Sequence, residues 1–289
     1  MPLPIFPIKY PKEDKLSYIK TPAGFKLQKI KTAVTAAGFQ GYPIYNLSAM
    51  LYLTKKHKNA CSIVPHSRDM IKLRLKPTDS DFFDPFPRLD AFDKNITIDA
   101  SFWGKFKECI NNQKRFIIIP ITVCLTNTLC HANILIYDTV KREMERFEPY
   151  GSIHEKNPSL NARFDFFDKL FQKELKSNNV NITEYFKPLD FCPASGFQLI
   201  EEDIENVRKA TGDPWGFCQA WSEWYADLRL SNPDSSRDEV IQIAIRKIKQ
   251  EPKGFKNFIR SYANLISRIT VDFYKNGWNA SIIDTYLNE

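Results

Sequence analysis

The chain has 289 residues, of which 43% are hydrophobic and 13% aromatic, so it has enough apolar mass for a sizeable core. Its formal net charge is +7, and it contains no run of 18 apolar residues, so no membrane-spanning helix is predicted. The six cysteines form no CxxC pair and only four histidines are present, so neither a zinc site nor a disulfide framework is predicted.

Basic residues are concentrated at the start of the chain. The first 76 residues carry 14 Lys and Arg against three Asp and Glu, whereas the remaining residues carry 27 against 31. We therefore interpret residues 1–95 as a basic N-terminal arm or accessory region for an acidic partner or a nucleic acid. The alternative is that these basic residues form a lysine-rich surface that is solvated and binds no partner. No charged segment followed by an apolar core opens the chain, so no secretory signal is predicted, and a reducing compartment is expected, cytoplasmic or nuclear.

Hydrophobic periodicity predicts helices and strands along the chain. In chain order, the predicted elements are a helix at 46–56, an irregular connection at 77–93, a helix at 102–111, strands at 115–124, 131–138 and 143–148, a helix at 161–176, a strand at 182–191, and helices at 199–210, 217–230, 235–250 and 255–274. Helices, then a small sheet, then helices indicate an α+β fold. We expect residues 96–289 to form the main domain, with the last helices as its C-terminal part.

Cys218 lies at the predicted start of a helix. Asp213, Pro214 and Gly216 are turn residues that end the preceding segment. The apolar stripe that follows at helical spacing consists of Phe217, Ala220, Trp221, Trp224, Tyr225 and Leu228. Unpaired backbone N–H groups and the positive end of the helix dipole lower the pKa of a thiol placed there, which favours the nucleophilic thiolate. The alternative to a reactive thiol is that Cys218 is a small buried residue of the core.

His131 begins a predicted strand and has an acidic neighbour in the next one. If the turn is centred between Thr139 and Val140, the numbers of paired residues add up to 279, and His131 lies opposite Glu148. A carboxylate in that position fixes the tautomer of an imidazole and stabilises the imidazolium. Asn133 shares this face, so we assign it to substrate binding, with orientation of the imidazole as the alternative. The alternatives are that His131 is a structural histidine and that Glu148 is a surface carboxylate.

Two segments resemble a known group of peptidases. The segment HANILIYD, which starts at His131, and the segment ERFEPYG, which ends at Gly151, are similar to the His-strand, turn and FEPxG element of the adenovirus maturation protease. They also resemble related cysteine peptidases of large DNA viruses, in a wider clan that includes the proteases of SUMO and ubiquitin-like proteins. The resemblance covers about residues 100–235, and the order of His, acid and Cys along the chain matches that clan.

The resemblance implies a papain-like fold with a small mixed central sheet flanked by helices and the permuted order His-Glu-Cys. His131 matches the base, Glu148 the orienting acid and Cys218 the nucleophile. The group also uses a glutamine to help form the oxyanion hole, and Gln198 is the best match; a polar residue at a helix start is the alternative. Gln198 stands 20 residues before Cys218, farther than in the short-loop members, and Ala132 rather than an aromatic residue follows His131.

These features predict a cysteine peptidase or isopeptidase that needs no cofactor. The resemblance implies ubiquitin or a ubiquitin-like protein conjugate as substrate, with Trp215 and Gly216 in a narrow cleft for a Gly-Gly stretch. A core position is the alternative for Trp215. A viral polyprotein is the rival substrate, in a host cell or a virion. An acyltransferase on the same fold and an inactive modifier-binding protein are the alternatives from other classes.

Overall fold

The structure is a computed structural model that describes residues 19–30, 39, 41, 43–63, 88–90, 95–98, 101–124, 130–152, 158–200, 217–251 and 254–287. The helices within them are α1 (Pro43–Lys56), α2 (Phe102–Asn111), α3 (Pro158–Ser177), α4 (Pro188–Phe191), α5 (Phe217–Ser231), α6 (Arg237–Lys249) and α7 (Gly254–Asn276), followed by a 3-10 helix at Ala280–Thr285. The strands are β1 (Ala60–Ser62), β2 (Arg88–Asp90), β3 (Asn95–Thr97), β4 (Phe116–Cys124), β5 (Cys130–Asp138), β6 (Glu143–Phe147) and β7 (Glu184–Phe186). In these ranges, no helix has the length and apolar character to cross a membrane.

The strands form one mixed sheet at the centre of the fold. Their order is β3-β2-β4-β5-β6-β7, and β1 joins the same edge of β4 as β2. β4, β5 and β6 are antiparallel neighbours, whereas β1 and β2 run parallel to β4, and β7 runs parallel to β6. The β-branched run in β4 suits this central, buried position. The predicted α+β fold with a mixed central sheet flanked by helices is therefore confirmed.

Helices cover both faces of the β5–β6 hairpin. On one face, Phe147 stacks on Tyr225 of α5, with ring centroids 3.9 Å apart. On the other face, the guanidinium of Arg146 donates two hydrogen bonds to Asp168 of α3. Side chains along each strand alternate between the two faces, so both α3 and α5 are anchored to the same short hairpin.

The hairpin register differs from the predicted one by two residues. Observed pairs such as Leu135 with Arg146 add up to 281 rather than 279, so the prediction that His131 lies directly opposite Glu148 is wrong. The turn is displaced because the carboxylate of Asp138 accepts two backbone N–H hydrogen bonds within it, at 3.0 and 3.2 Å. Since side chains alternate with a period of two, a shift by two residues leaves His131 and Glu148 on the same face.

The described part of the N-terminal region belongs to the sheet and the core. α1 buries Met50 and Leu53 completely, and β1 and β2 hydrogen-bond to β4. Lys56 and His57, at the end of α1, both contact the buried carboxylate of Asp227 on α5, at 2.8 and 2.7 Å. The division of the chain near residue 95 and the binding of an acidic partner by its basic arm stay predictions.

A disulfide bond joins Cys61 of β1 to Cys109 of α2, with their Cα atoms 5.8 Å apart. The sequence predicted no disulfide framework, because these cysteines are separated by 48 positions and no local pattern links them. The parallel pairing of β1 with β4 places β1 beside α2, and the tertiary fold thereby brings the two sulfur atoms together. Cys218 takes no part in a disulfide bond.

Replacing Leu53 with Ala should lower the free energy of unfolding by about 2–5 kcal/mol, because the change leaves a cavity between α1 and the rest of the core. The matched control is Leu189→Ala, whose side chain is 45% exposed, and its expected change is below about 1 kcal/mol. Urea unfolding followed by circular dichroism measures both. If the two variants unfold at the same urea concentration, Leu53 and therefore α1 are not part of the core.

Candidate active site

The first turn of α5 holds Cys218 against an aromatic core. Phe217, directly before it, is buried and stacks with Phe39 at 6.2 Å between ring centroids. One turn later, Trp221 is fully buried and stacks on Phe197 at 5.1 Å. Cys218 is 9% exposed and is the second residue of α5, where its backbone N–H group has no helical partner among the described residues and the helix dipole is positive. The packing of its neighbours therefore fixes where the thiol points.

His131 and Glu148 lie side by side at one end of the hairpin. His131 is the second residue of β5, and Glu148 directly follows β6. His131 Nε2 and Glu148 Oε1 are 2.6 Å apart, in spite of the shifted register. Glu148 is completely buried and His131 is 9% exposed, so this hydrogen bond is shielded from water. A charge-assisted hydrogen bond is stronger in such an environment than at the protein surface.

The thiol of Cys218 completes the cluster. It is hydrogen-bonded to the side chain of His131 and to the backbone of Ala132. Ser222, one turn along α5, donates its hydroxyl to the carbonyl oxygen of Ala132 at 3.3 Å and so ties the helix to β5. Cys218, His131 and Glu148, which the sequence singled out, therefore form a continuous series of thiol, imidazole and carboxylate.

The charges in this cluster stabilise one another. Burial lowers the pKa of His131, but the negative charges of Glu148 and Cys218 outweigh burial and raise that pKa from 6.5 to about 10. Burial also raises the pKa of the Cys218 thiol, yet the adjacent His131 brings it below its ordinary value. Both shifts favour the ion pair of a thiolate and an imidazolium over the neutral pair, and a thiolate is the more nucleophilic form of a cysteine.

Three donors hold the carboxylate of Glu148 in one orientation. Besides His131, its Oε1 atom accepts the backbone N–H of Tyr150 at 2.9 Å. Its Oε2 atom accepts the Nδ2 amide of Asn133 at 3.0 Å. Both carboxylate oxygens are thus engaged, and a rotation away from His131 would break every one of these bonds.

Asn133 supports the acid from behind. It is 1% exposed, and its Oδ1 atom accepts a hydrogen bond from Nη1 of Arg146 at 2.9 Å. Because a guanidinium can only donate, the amide nitrogen of Asn133 must face Glu148. Arg146 itself forms a two-bond fork with Asp168 at 2.8 and 2.9 Å, and the hydroxyl of Tyr185 donates to the same carboxylate at 2.7 Å. Asn133 thus contacts Glu148, which itself bonds the imidazole of His131. The predicted role of Asn133 in substrate binding stays a prediction.

Gln198 lies next to the turn that follows Glu148, and Tyr150 joins the two. Gln198 belongs to a helical turn at 197–200, and its Nε2 atom donates to the hydroxyl of Tyr150 at 3.1 Å. The ring of Tyr150 packs against that of His131, with centroids 5.1 Å apart. The sequence pattern does not single out Tyr150, because this residue lies in the turn after β6 and reaches His131 only through the tertiary fold.

Glu223 is a second residue that the sequence analysis did not identify. Burial raises its pKa well above the usual range, and the amide of Gln219 donates to it at 2.8 Å. Burial therefore favours the neutral form of this carboxyl group, which carries no negative charge to oppose a thiolate at Cys218. Its spacing of five residues from Cys218 carries no recognisable signal in the sequence.

Trp215 and Gly216 lie outside the described residues, so their roles in a substrate cleft stay predictions. Within the part of the chain that the structure describes, no group of three or more His, Cys, Asp or Glu side chains is arranged to hold a metal ion.

Among curated proteins, one relative matches this chain over part of the relative's length. No protein-family model matches the chain. It is 32% identical over 270 residues to a putative ankyrin repeat protein, L371, of Acanthamoeba polyphaga mimivirus, across 86% of this chain and 34% of that protein. The chain thus spans about a third of the length of this relative.

Several solved structures are similar at low sequence identity. They include ChlaDub1 from Chlamydia trachomatis, with 10% identity and a TM-score of 0.41 over 84% of this chain and 96% of that one. The Chlamydia abortus effector protein ChlaDUB has 12% identity and a TM-score of 0.36, over 82% and 100% of the two chains. The SUMO protease Ulp1 has 12% identity and a TM-score of 0.32, over 79% and 77%.

The Cys218 thiol should ionise below the value of about 8.5 that is typical of cysteine, because the His131 imidazolium stabilises the thiolate. Replacing His131 with Asn should move the midpoint above that value, since burial and the charge of Glu148 then oppose the thiolate and only the backbone hydrogen bond with Ala132 still favours it. Thiolate absorbance at 240 nm during a pH titration, with Cys218→Ser as the blank and melting curves to verify the fold, measures the shift. An unchanged midpoint in His131→Asn would contradict the ion pair.

Proposed function

We propose that this chain is a cysteine peptidase or isopeptidase that cleaves the bond after ubiquitin or a ubiquitin-like modifier. The proposal depends on one observation, the buried series of Cys218, His131 and Glu148, with 2.6 Å between the imidazole and the carboxylate. A buried charged cluster is weak support for stability, whereas nucleophilic catalysis requires an activated thiol, a base and a group that orients the base. The substrate class comes from the resemblance of the two hairpin segments to that peptidase clan.

In the proposed reaction, the Cys218 thiolate attacks the carbonyl carbon of the scissile bond and forms a tetrahedral intermediate. As this intermediate collapses, the His131 imidazolium gives its proton to the leaving amine, and a thioester with Cys218 remains. The neutral imidazole then removes a proton from water, which attacks the thioester, and the thiolate and imidazolium are restored. Glu148 stays ionised throughout and stabilises the positive charge on His131.

The negative oxygen of the intermediate needs hydrogen-bond donors. The backbone N–H of Cys218, at the start of α5, is one donor in this proposal, because the first turn of a helix has N–H groups without helical partners. The amide of Gln198 is the other. Loss of one such donor lowers the rate by a factor of about 10²–10³ in enzymes of this type.

The location and the further partners of the protein are part of this proposal. We place the chain in the cytoplasm or the nucleus, in a host cell or a virion, because a catalytic thiolate must stay reduced. The Cys61–Cys109 disulfide bond is instead of the kind that forms in oxidising compartments. The basic residues near the start of the chain would bind an acidic partner or a nucleic acid. A viral polyprotein is the rival substrate, and a panel of different substrates separates it from the modifiers.

Reaction with probes of ubiquitin and SUMO that carry a C-terminal propargyl group tests the proposal. The wild-type chain should form a covalent adduct that peptide mapping places on Cys218, and Cys218→Ala should form none. The control Cys192→Ala removes a buried cysteine that has no assigned role and should keep the adduct. An adduct on Cys218→Ala would contradict the assignment, whereas binding without any adduct would indicate an inactive modifier-binding protein.

The rate of hydrolysis should have a bell-shaped dependence on pH. As pH falls below the lowered pKa of Cys218, the thiolate is protonated and the rate falls. As pH rises through about 10, His131 loses the proton that it gives to the leaving amine, and the rate falls again. Glu148→Gln removes the largest contribution that raises the pKa of His131, so the alkaline limb should move to lower pH.

Hydrolysis of fluorogenic amides of ubiquitin and SUMO between about pH 5 and about pH 10.5 measures these limbs. The matched control is Glu184→Gln, which changes an exposed carboxylate of β7 and should leave both limbs in place. If the alkaline limb of Glu148→Gln coincides with that of the wild-type chain, Glu148 is not the group that stabilises the imidazolium.

A further inference from the structure

Tyr150 contacts three parts of the candidate active site. Its backbone N–H donates to Oε1 of Glu148 at 2.9 Å, and its ring lies 5.1 Å from that of His131. Its hydroxyl accepts a hydrogen bond from Nε2 of Gln198 at 3.1 Å. The acid, the base and the predicted oxyanion glutamine therefore meet at a single residue.

The segment that carries Gln198 is locked onto the turn that carries Tyr150. A Cβ atom on Gly196 would lie 2.3 Å from the carbonyl oxygen of Pro149, and one on Gly151 would lie 2.4 Å from the nitrogen of Gly196. The N–H of Gly196 donates to the carbonyl of Tyr150 at 2.9 Å, and the N–H of Gln198 donates to that of Pro149 at 3.1 Å. These backbone contacts, which only glycines allow, set the distance between Tyr150 and Gln198 directly.

Among the described residues, the carboxamide of Gln198 has one bonded end and one end that lacks a partner. Gln198 is 5% exposed, and its Oε1 atom makes no hydrogen bond within the described residues. A tyrosine hydroxyl both donates and accepts. A half-turn of the carboxamide therefore lets Oε1 accept the O–H of Tyr150 and leaves Nε2 as the end without a partner. A buried N–H without a partner is uncommon, and it is the kind of donor that stabilises an oxyanion.

We propose that Tyr150 is a positioning residue that binds one end of the Gln198 carboxamide and presents the other end, Nε2, to the tetrahedral oxyanion. This inference rests on the proposed peptidase function. Because Gln198 is placed through Tyr150 and the two glycines, it does not need to be close to Cys218 along the chain. The separation of 20 residues, which departs from the short-loop peptidases, is then compatible with a role in the reaction.

The variant Tyr150→Phe tests this inference, because it removes the hydroxyl and keeps the ring against His131. We expect the turnover number for a fluorogenic ubiquitin or SUMO amide to fall about tenfold with KM unchanged, the effect of one neutral hydrogen bond. Gln198→Ala should cause a fall of about a hundredfold. The double variant should be no slower than Gln198→Ala alone, because the two side chains act as one unit.

A second measurement separates positioning of Gln198 from an effect on the thiolate. Alkylation by iodoacetamide, in which the Cys218 thiolate displaces iodide, forms no oxyanion. Its rate at the Cys218 peptide, followed by mass spectrometry, should be the same in the wild-type chain, Tyr150→Phe and Gln198→Ala. The matched control is Tyr137→Phe, which removes a hydroxyl that donates to the carbonyl of Asn181 at 2.8 Å outside the site, and both of its rates should equal those of the wild-type chain.

Each contrary result has a distinct meaning. Hydrolysis by Tyr150→Phe at the wild-type rate, or effects of Tyr150→Phe and Gln198→Ala that multiply, would overturn the inference alone. Slower alkylation in Tyr150→Phe would also overturn it, since the hydroxyl would then act on the thiolate. If the wild-type chain hydrolyses neither amide, the proposed function fails and this inference fails with it.

Discussion

The hydrogen bond between Glu148 and His131 determines the chemistry of the candidate active site. Burial by itself favours a neutral imidazole and a neutral thiol, and such a pair would be a poor nucleophile. The buried carboxylate reverses this preference, since together with Cys218 it raises the pKa of His131 to about 10, and the imidazolium in turn lowers the pKa of Cys218. The surrounding structure must therefore hold a negative charge in the protein interior and direct it at one ring nitrogen.

Much of the fold serves that requirement. Asn133 binds the second oxygen of Glu148, Arg146 fixes the orientation of Asn133, and Asp168 of α3 neutralises Arg146. On the other side of the hairpin, α5 packs on the sheet through Tyr225 and brings its first turn to the end of β5. Glu148 at the end of β6, which is held from the α3 face of the sheet, and Cys218 of α5 on the other face thus meet where the hairpin strands end.

The sequence predicts the reactive side chains but not their full geometry. Turn residues followed by a helical stripe indicate that Cys218 begins a helix, and the period of two along strands places His131 and Glu148 on one face. The register itself was wrong by two residues, because it depends on side-chain hydrogen bonds of Asp138 in the turn. The link from Tyr150 to the glutamine depends on two glycines that are far apart along the chain and touch only in the folded protein. The disulfide bond has the same origin, since neither cysteine has a local pattern that identifies its partner.

We expect His131 to carry a positive charge at neutral pH, because Glu148 and Cys218 flank it and raise its pKa to about 10. Nitrogen NMR of histidine labelled at both ring nitrogens measures that charge directly in the folded wild-type chain. At about pH 8, well above the ordinary histidine pKa of about 6.5, both ring nitrogens of His131 should have the chemical shifts of a protonated imidazolium. A neutral His131 ring at that pH, with one unprotonated nitrogen, would show that Glu148 and Cys218 do not stabilise the imidazolium.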